Sequence, residues 1–260
     1  MRTNKLRGIL DKNEPSLSTH IHTVWPSVVE LVGHTNRYDY VEFVGEYGPY
    51  DLHDLDNLAR AAELHGLGIM LKVDQEPRGF LAQRAIGSGF QSVLFADCKT
   101  VEDFRSCVEI SRPDTPHSGG SYGVATRRFS YMGYGGSQEY VNALEEIVVA
   151  VMIEKGMAVD NIDEILEIEG IDMIQWGPAD YSMNVGKIGQ KNAVSEVEKV
   201  VIKKSLNAKK HPRAEINTAD DARYYLDLGV RHFCVGTDVH ILHNYWEKEG
   251  DELRKALDGS

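Results

Sequence analysis

Short apolar or β-branched runs recur along the chain at residues 17–21, 40–44, 68–73, 92–96, 147–153, 172–176, 213–216 and 233–236. Their length and their content of Val, Ile and aromatic residues predict strands. Between them lie stretches whose apolar positions repeat at helical spacing: 52–65, 80–86, 101–110, 161–168, 194–207 and 219–228. Gly66, Gly170 and Gly229 follow three of these stretches, where a left-handed residue closes a helix. Strand-then-helix units predict a parallel sheet, and eight candidate strands predict its closure into a TIM (β/α)8 barrel. Such a barrel uses all 260 residues, so one domain over 1–260 is expected.

Two segments fall outside this rhythm. Residues 112–136, dense in Gly, Tyr and Arg, read as a long loop. Residues 239–256 read as an amphipathic C-terminal helix carrying Val239, Ile241, Leu242, Tyr245 and Trp246. A hydrophobic fraction of 42% with 26% charged residues fits a globular chain. The formal charge of −12 disfavours nucleic acid and anionic membranes as partners, although a local cation can still favour a small anion inside a pocket. Cys98, Cys107 and Cys234 form no CxxC pair, which points to a reducing cytoplasm. The N-terminal apolar run Gly8-Ile9-Leu10 is too short for a signal-peptide core or a membrane span.

A parallel barrel builds its site at the C-terminal ends of its strands. The polar residues there are His20, His22, Glu46, Tyr47, Lys72, Asp74, Gln75, Glu76, Asp97, Glu154, Lys155, Asp180, Glu215 and Asp238. Glu154 ends one apolar run, and Asp180 follows the next in the turn Gly177-Pro178-Ala179-Asp180. Adjacent strands bring the two carboxylates together, a donor set suited to a hard divalent cation such as Mg²⁺ or Mn²⁺. The alternative pairs Glu154 with Lys155 or another cation and makes Asp180 a helix N-cap. His20 and His22 share a face, as a hydrogen-bonded core or strand-end pair does before a metal pair.

The stretch 150–186, AVMIEKGMAVDNIDEILEIEGIDMIQWGPADYSMNVG, resembles the HpcH/HpaI family of class II, metal-dependent pyruvate aldolases. The family pattern has a strand ending in a metal-binding Glu, a helix reading NLDEIL, an EGID turn and a strand ending in GPADLS. Weaker similarity runs from Leu17 to about Leu253, with GPYD similar to the family's APND and GFQSV similar to its GFQTLL. The resemblance implies a barrel of the phosphoenolpyruvate/pyruvate-binding type, with Glu154 and Asp180 as ligands of Mg²⁺ or Mn²⁺, and Co²⁺ as a further option. The metal would chelate pyruvate or an oxaloacetate-like 2-keto acid, whose carboxylate would rest on the backbone of Gly177, Pro178 and Ala179. Cleavage or formation of a 4-hydroxy-2-keto acid, with an aldehyde as partner, would then pass through a metal-bound enolate. Arg127 and Arg128 lie near the family's basic substrate loop, where they would meet a far carboxylate or form a salt bridge. The C-terminal helix would pack on a neighbour in a trimer-based homohexamer.

Two departures qualify that expectation. Where the family reads DGEH and uses an Asp–His pair, this chain reads Val44-Gly45-Glu46-Tyr47. Tyr47 and Glu46 therefore stand at a catalytic address with altered chemistry, since a tyrosine is a poor base at neutral pH but can donate a proton. At the third strand Lys72 stands where the family places an enolate-steadying Arg, with Arg78 as the alternative cation. Glu215 is either a substitute base or a partner of Arg213 or Lys210. A 2-keto acid decarboxylase, a citrate-synthase-like enolate-transfer enzyme and a non-catalytic acid-binding barrel remain as other readings.

Overall fold

In the computed structural model, which describes residues 1–124, 129 and 131–259, eight parallel strands close into a barrel in sequence order. The order of elements is α1 (Lys5–Asp11), β1 (Ser16–Ile21), α2 (Pro26–His34), β2 (Tyr40–Val44), α3 (Leu52–Leu64), β3 (Gly68–Val73), α4 (Arg78–Ser88), β4 (Ser92–Phe95) and α5 (Val101–Ser111). It continues with α6 (Gln138–Glu145), β5 (Val148–Ile153), α7 (Gly156–Asp160), α8 (Ile162–Leu166), β6 (Met173–Trp176), α9 (Pro178–Asn184), α10 (Lys191–Asn207), β7 (His211–Ile216), α11 (Ala222–Asp227), β8 (His232–Thr237) and α12 (Asp238–Asp258). All eight expected strands are present. The expected helix over 161–168 is present as the short α8, preceded across Asn161 by the unexpected α7, and the one over 219–228 opens with a 3-10 turn before α11. The described part of 112–136 has turns, a lone bridge between Pro113 and Tyr122, and helical residues at 129 and 131, so it is not loop throughout.

Strand side chains alternate between two cores, as the pleat requires. One set, including Val41, Phe43, Leu71, Phe95, Val151 and Ile174, packs outward against the helices. The other, including Tyr40, Met70, Leu94, Ala150, Met152 and Met173, fills the barrel together with Leu6 and Leu10 of α1. That helix, absent from the hydrophobic pattern, therefore supplies part of the interior. Helix ends follow ordinary chemistry. Asp51, within the GPYD segment, caps α3 through the His53 and Asp54 backbone N–H groups, and Asp54 reciprocates at the Asp51 N–H. Gly66 and Gly229 close α3 and α11 with φ of 63° and 92°.

One sector of the interior is polar. Arg213 on β7 donates to the Tyr40 hydroxyl at 2.8 Å, forms a very short ion pair with Glu42, and also reaches Gln175 and the Ser18 hydroxyl. Because β7 and β2 are not neighbours, the contacts to Tyr40 and Glu42 cross the barrel. Burial favours a neutral Glu42, but Arg213 and His20 outweigh it and hold the carboxyl well below the usual carboxylate range. At the barrel mouth Asp238, in the first turn of α12, accepts from the His22 N–H at 2.9 Å, the Thr23 N–H at 3.1 Å and the Thr23 hydroxyl at 2.8 Å. This strand-end carboxylate is thus committed to a structural clasp. Beyond the clasp, Ile241, Tyr245 and Trp246 of α12 are exposed, so the expected apolar face is not buried within the chain.

Removing one member of a buried pair leaves the other uncompensated, at a cost of about 3–5 kcal/mol. Arg213→Met is expected to lower the urea midpoint accordingly, and the double variant Glu42→Leu/Arg213→Met to recover much of the loss. Equal destabilisation of single and double variants in equilibrium unfolding would contradict this account.

Candidate active site

The register brings the strand ends together. Met152 on β5, Gln175 on β6 and Arg213 on β7 stand level. Two residues further along the same face come Glu154, Gly177 and Glu215. Glu154 is buried at the end of β5, and a Cβ on Gly177 would lie 2.5 Å from its Oε2, so only glycine lets the following turn pass so close. The other oxygen, Oε1, accepts the Asp97 backbone N–H at 2.6 Å. Asp97 presents that N–H from a left-handed conformation, φ 59°, unusual for a residue other than glycine. Burial raises the Glu154 carboxyl to about 7, with Asp180 adding to the rise and the Asp97 N–H, Lys72 and Lys155 opposing it.

Asp180 lies in the first turn of α9, whose N-cap is Gly177, so Asp180 is not the helix cap. Its Oδ1 accepts from Lys155 Nζ at 3.0 Å, while the same ammonium sits 2.5 Å from Asp97. The expected alternative pairing is therefore corrected: Lys155 serves Asp97 and Asp180, and the carboxylate of Glu154 takes a backbone donor. A buried carboxylate held near neutrality, beside a second carboxylate with another oxygen free of Lys155, fits a hard divalent cation with oxygen ligands. Ala179 and Asp180 also offer first-turn N–H groups without intrahelical acceptors, since Pro178 has none to offer.

A second group of candidates meets at β2 and β3. Lys72 Nζ lies 2.5 Å from Glu46 Oε2, 3.4 Å from the Tyr47 hydroxyl and 4.8 Å from the Tyr47 ring centroid. Burial alone would lower the Lys72 ammonium, but Glu46 outweighs it and keeps Lys72 firmly charged. Burial raises the Tyr47 phenol, only partly offset by Lys72, so Tyr47 keeps its proton although 60% exposed. Arg78 turns elsewhere, donating to Cys98 Sγ at 3.0 Å and to the Gln75 carbonyl at 2.9 Å. Tyr47, Lys72, Glu154, Gly177–Asp180, Arg213 and Glu215 line one cavity of about 270 Å³. Arg127 and Arg128 lie outside the described residues.

The sequence pattern assigns no role to Asp97 and offers Lys155 as a partner of Glu154 only as the alternative to a metal. Both stood at strand ends, but nothing in the local pattern revealed that one ammonium would bridge Asp97 and Asp180. The trio His20, Glu42 and Cys234 also places ligand atoms within 4.8 Å of one another. There the guanidinium of Arg213 already neutralises Glu42, so Glu154 and Asp180 are the better-fitting cation pair.

Between about 4.5 and about 7 the folded chain keeps a proton on Glu154 that the unfolded chain has released. Without a cation, stability therefore falls as pH rises through that window and levels off above it. Metal-stripped Glu154→Gln should melt above metal-stripped wild type at pH 8, by ~2–4 °C for each kcal/mol gained at this chain length, and lose that advantage at pH 4.5. Mg²⁺ should raise the melting temperature of wild type at pH 8 but not that of the variant. Thermal melts at the two pH values check both statements.

The family model described as HpcH/HpaI aldolase/citrate lyase matches residues 25–244. A hydroxypyruvate/pyruvate aldolase of Roseovarius nubinhibens is 26% identical over 244 residues, covering 92% of this chain and 93% of that protein. A 5-keto-4-deoxy-D-glucarate aldolase of Enterobacter sp. strain 638 is 25% identical over 257 residues, covering 97% of each chain. Among solved structures, an HpcH/HpaI aldolase/citrate lyase family protein from Burkholderia cenocepacia J2315 superposes with a TM-score of 0.87 at 25% identity, covering 97% of this chain and 100% of that one. The citrate synthase SbnG shares the fold at a TM-score of 0.85 and 21% identity, covering 98% and 99%. The matched span takes in strands β2 to β8 and the Glu154–Asp180 rim, and this chain belongs to the HpcH/HpaI aldolase/citrate lyase family.

Proposed function

We propose that the protein is a metal-dependent carbon–carbon lyase that cleaves or forms 4-hydroxy-2-keto acids, with pyruvate or an oxaloacetate-like acid and an aldehyde as the small-molecule partners. The observation that carries this reading is the buried Glu154 carboxylate, packed against Gly177 and sharing one cavity with Asp180 and Lys72. The aldolase names of the relatives support the substrate class. Glu154 and Asp180 would hold the divalent cation, Mg²⁺ or Mn²⁺ before Co²⁺. When bound, it supplies Lewis acidity that favours loss of charge from carbon to the keto oxygen.

The chain's own groups divide the remaining work. The N–H groups of Ala179 and Asp180, beside Gly177 and Pro178, receive the substrate carboxylate. Lys72 stands where negative charge develops, and Glu46 holds it charged and in place. The Glu46 carboxylate is thereby occupied, and Tyr47, protonated at neutral pH, serves as a donor. Arg127 is assigned to the far end of the substrate. The exposed apolar face of α12, with Trp246 at 65% exposure, supports a homo-oligomer, for which we propose the trimer-based hexamer. Cys98 and Cys107 remain thiols with sulfurs 3.5 Å apart, which suits a reducing cytoplasm.

Because decarboxylation of an oxaloacetate-like acid also produces an enolate but removes no hydroxyl proton, the missing Asp–His pair keeps a decarboxylase or enolate-transfer reading as second choice.

In deuterated water, protein resupplied with Mg²⁺ or Mn²⁺ should exchange the methyl protons of pyruvate, followed by NMR, and metal-stripped protein should not. Glu154→Gln and Asp180→Asn should each cut exchange by at least ~100-fold while circular dichroism stays native. Unchanged exchange in either variant would sink the metal assignment. Lys72→Met should lower kcat by ~10²-fold, with Lys72→Arg recovering part of it, because a charge at a developing oxyanion contributes on that scale.

A further inference from the structure

We propose that Glu215 is the general base of the lyase reaction, with His20 as its positioning residue. The assignment rests on the lyase reading above and fills the role left by the absent Asp–His pair. Glu215 is level with Glu154 across Gly177 on the rim and lines the same cavity. Its side chain is 50% exposed, while both oxygens are oriented: Oε1 lies 3.5 Å from His20 Nδ1, and Oε2 accepts from Gln175 Nε2 at 3.3 Å. His20 is fixed in turn from below, with Nε2 3.2 Å from Glu42 Oε1, and Glu42 is held by the guanidinium of Arg213. The result is an oriented carboxylate–imidazole–carboxylate chain whose outer end alone meets solvent.

The other rim groups are less suited to the task. Glu46 is occupied by Lys72, and Tyr47 holds its proton. Glu154 and Asp180 are the cation ligands. Glu198, further along the cavity, accepts from the Tyr225 hydroxyl at 3.1 Å. Around His20 stand Glu42 from β2, Cys234 from β8, Arg213 and Glu215 from β7, and His22 from its own strand, with Asp238 beyond His22. Burial pulls the His20 imidazole down, but Cys234 and Glu42 more than offset this and keep it well above the usual histidine range. The imidazole Nδ1, 3.5 Å from Glu215 Oε1, fixes the direction in which that carboxylate faces the cavity.

The step balances without an oxidant. Glu215 takes the proton of the substrate's 4-hydroxyl. The O–H pair becomes the second bond of the aldehyde carbonyl, and the C3–C4 pair passes into the C2–C3 double bond. The keto π pair moves onto oxygen, giving the enolate. After the aldehyde leaves, the proton on Glu215 goes to C3 and completes the methyl group. Run backwards on pyruvate, the same carboxylate removes a methyl proton. Loss of carbon dioxide from oxaloacetate needs no such base.

The test compares two reactions of the Mn²⁺-loaded full-length protein: methyl exchange of pyruvate in deuterated water, and carbon dioxide release from oxaloacetate. Glu215→Gln should lower kcat for exchange by ~10²–10⁴-fold, the range of a general base, with KM nearly constant and carbon dioxide release kept within ~3-fold. Glu215→Asp should recover part of the exchange. His20→Asn should lower kcat for exchange with KM nearly constant and carbon dioxide release within ~3-fold, because Glu215 loses an orienting partner at 3.5 Å; a purely structural role would depress both reactions alike. Wild-type exchange in Glu215→Gln, or equal loss of both reactions in folded Glu215→Gln or folded His20→Asn, would overturn the assignment while leaving the lyase reading intact. A wild-type protein inert in both reactions would overturn the lyase reading and this assignment with it.

Discussion

The guanidinium of Arg213 lies inside a closed barrel, and a charge so placed dictates its surroundings. It requires a carboxylate, which β2 supplies as Glu42, and hydrogen-bond acceptors, which Tyr40, Gln175 and Ser18 supply. These partners come from β1, β2 and β6, so one residue of β7 ties together strands that the sheet ladder alone does not join. The apolar interior contributed by β3 to β6 and by α1 can fill the remaining space with Met and Leu because the polar demand is met on the other side. Hydrophobic burial drives closure of the barrel, and this pair restricts which arrangements can close.

The rim repeats the same problem with the sign reversed. Carboxylates outnumber cations there, and two lysines are distributed with little waste. Lys155 is shared by Asp97 and Asp180, and Lys72 is held by Glu46 beneath Tyr47. Burial raises the Glu154 carboxyl to about 7, and the backbone N–H of Asp97 that it accepts offsets this only in part. A protein tuned only for stability would place an apolar side chain at this position. On the proposed reading, this raised carboxyl is where a divalent cation would settle.

Most of the barrel was legible because buried strands need continuous apolar runs, and the rim positions of Glu154 and Asp180 were legible because such runs end at the barrel mouth. Elements supported by caps and local packing were less visible. The helices α1, α2 and α6 escaped the pattern, although Pro26 stands at the first position of α2, where proline starts helices well. β7 begins earlier than expected because Pro212 interrupts its apolar run yet still pairs in register with Ile174. At the site, the residue types were readable but the pairings were not. Lys155 looked like a partner for Glu154, Asp51 resembled part of a loop motif, and Asp238 stood in the census of strand-end acids. Which carboxylate meets which cation depends on side-chain directions across strands, and a one-dimensional pattern does not contain them.

The clasp at Asp238 fastens the first turn of α12 to the backbone of His22 and Thr23, just beyond His20 on β1. The same helix carries the exposed Tyr245 and Trp246. Torque applied to α12 from outside is therefore delivered through one carboxylate to the end of the strand that bears the buried imidazole. The exposed face of α12 and the mouth of the barrel share a lever, with its fulcrum at Asp238.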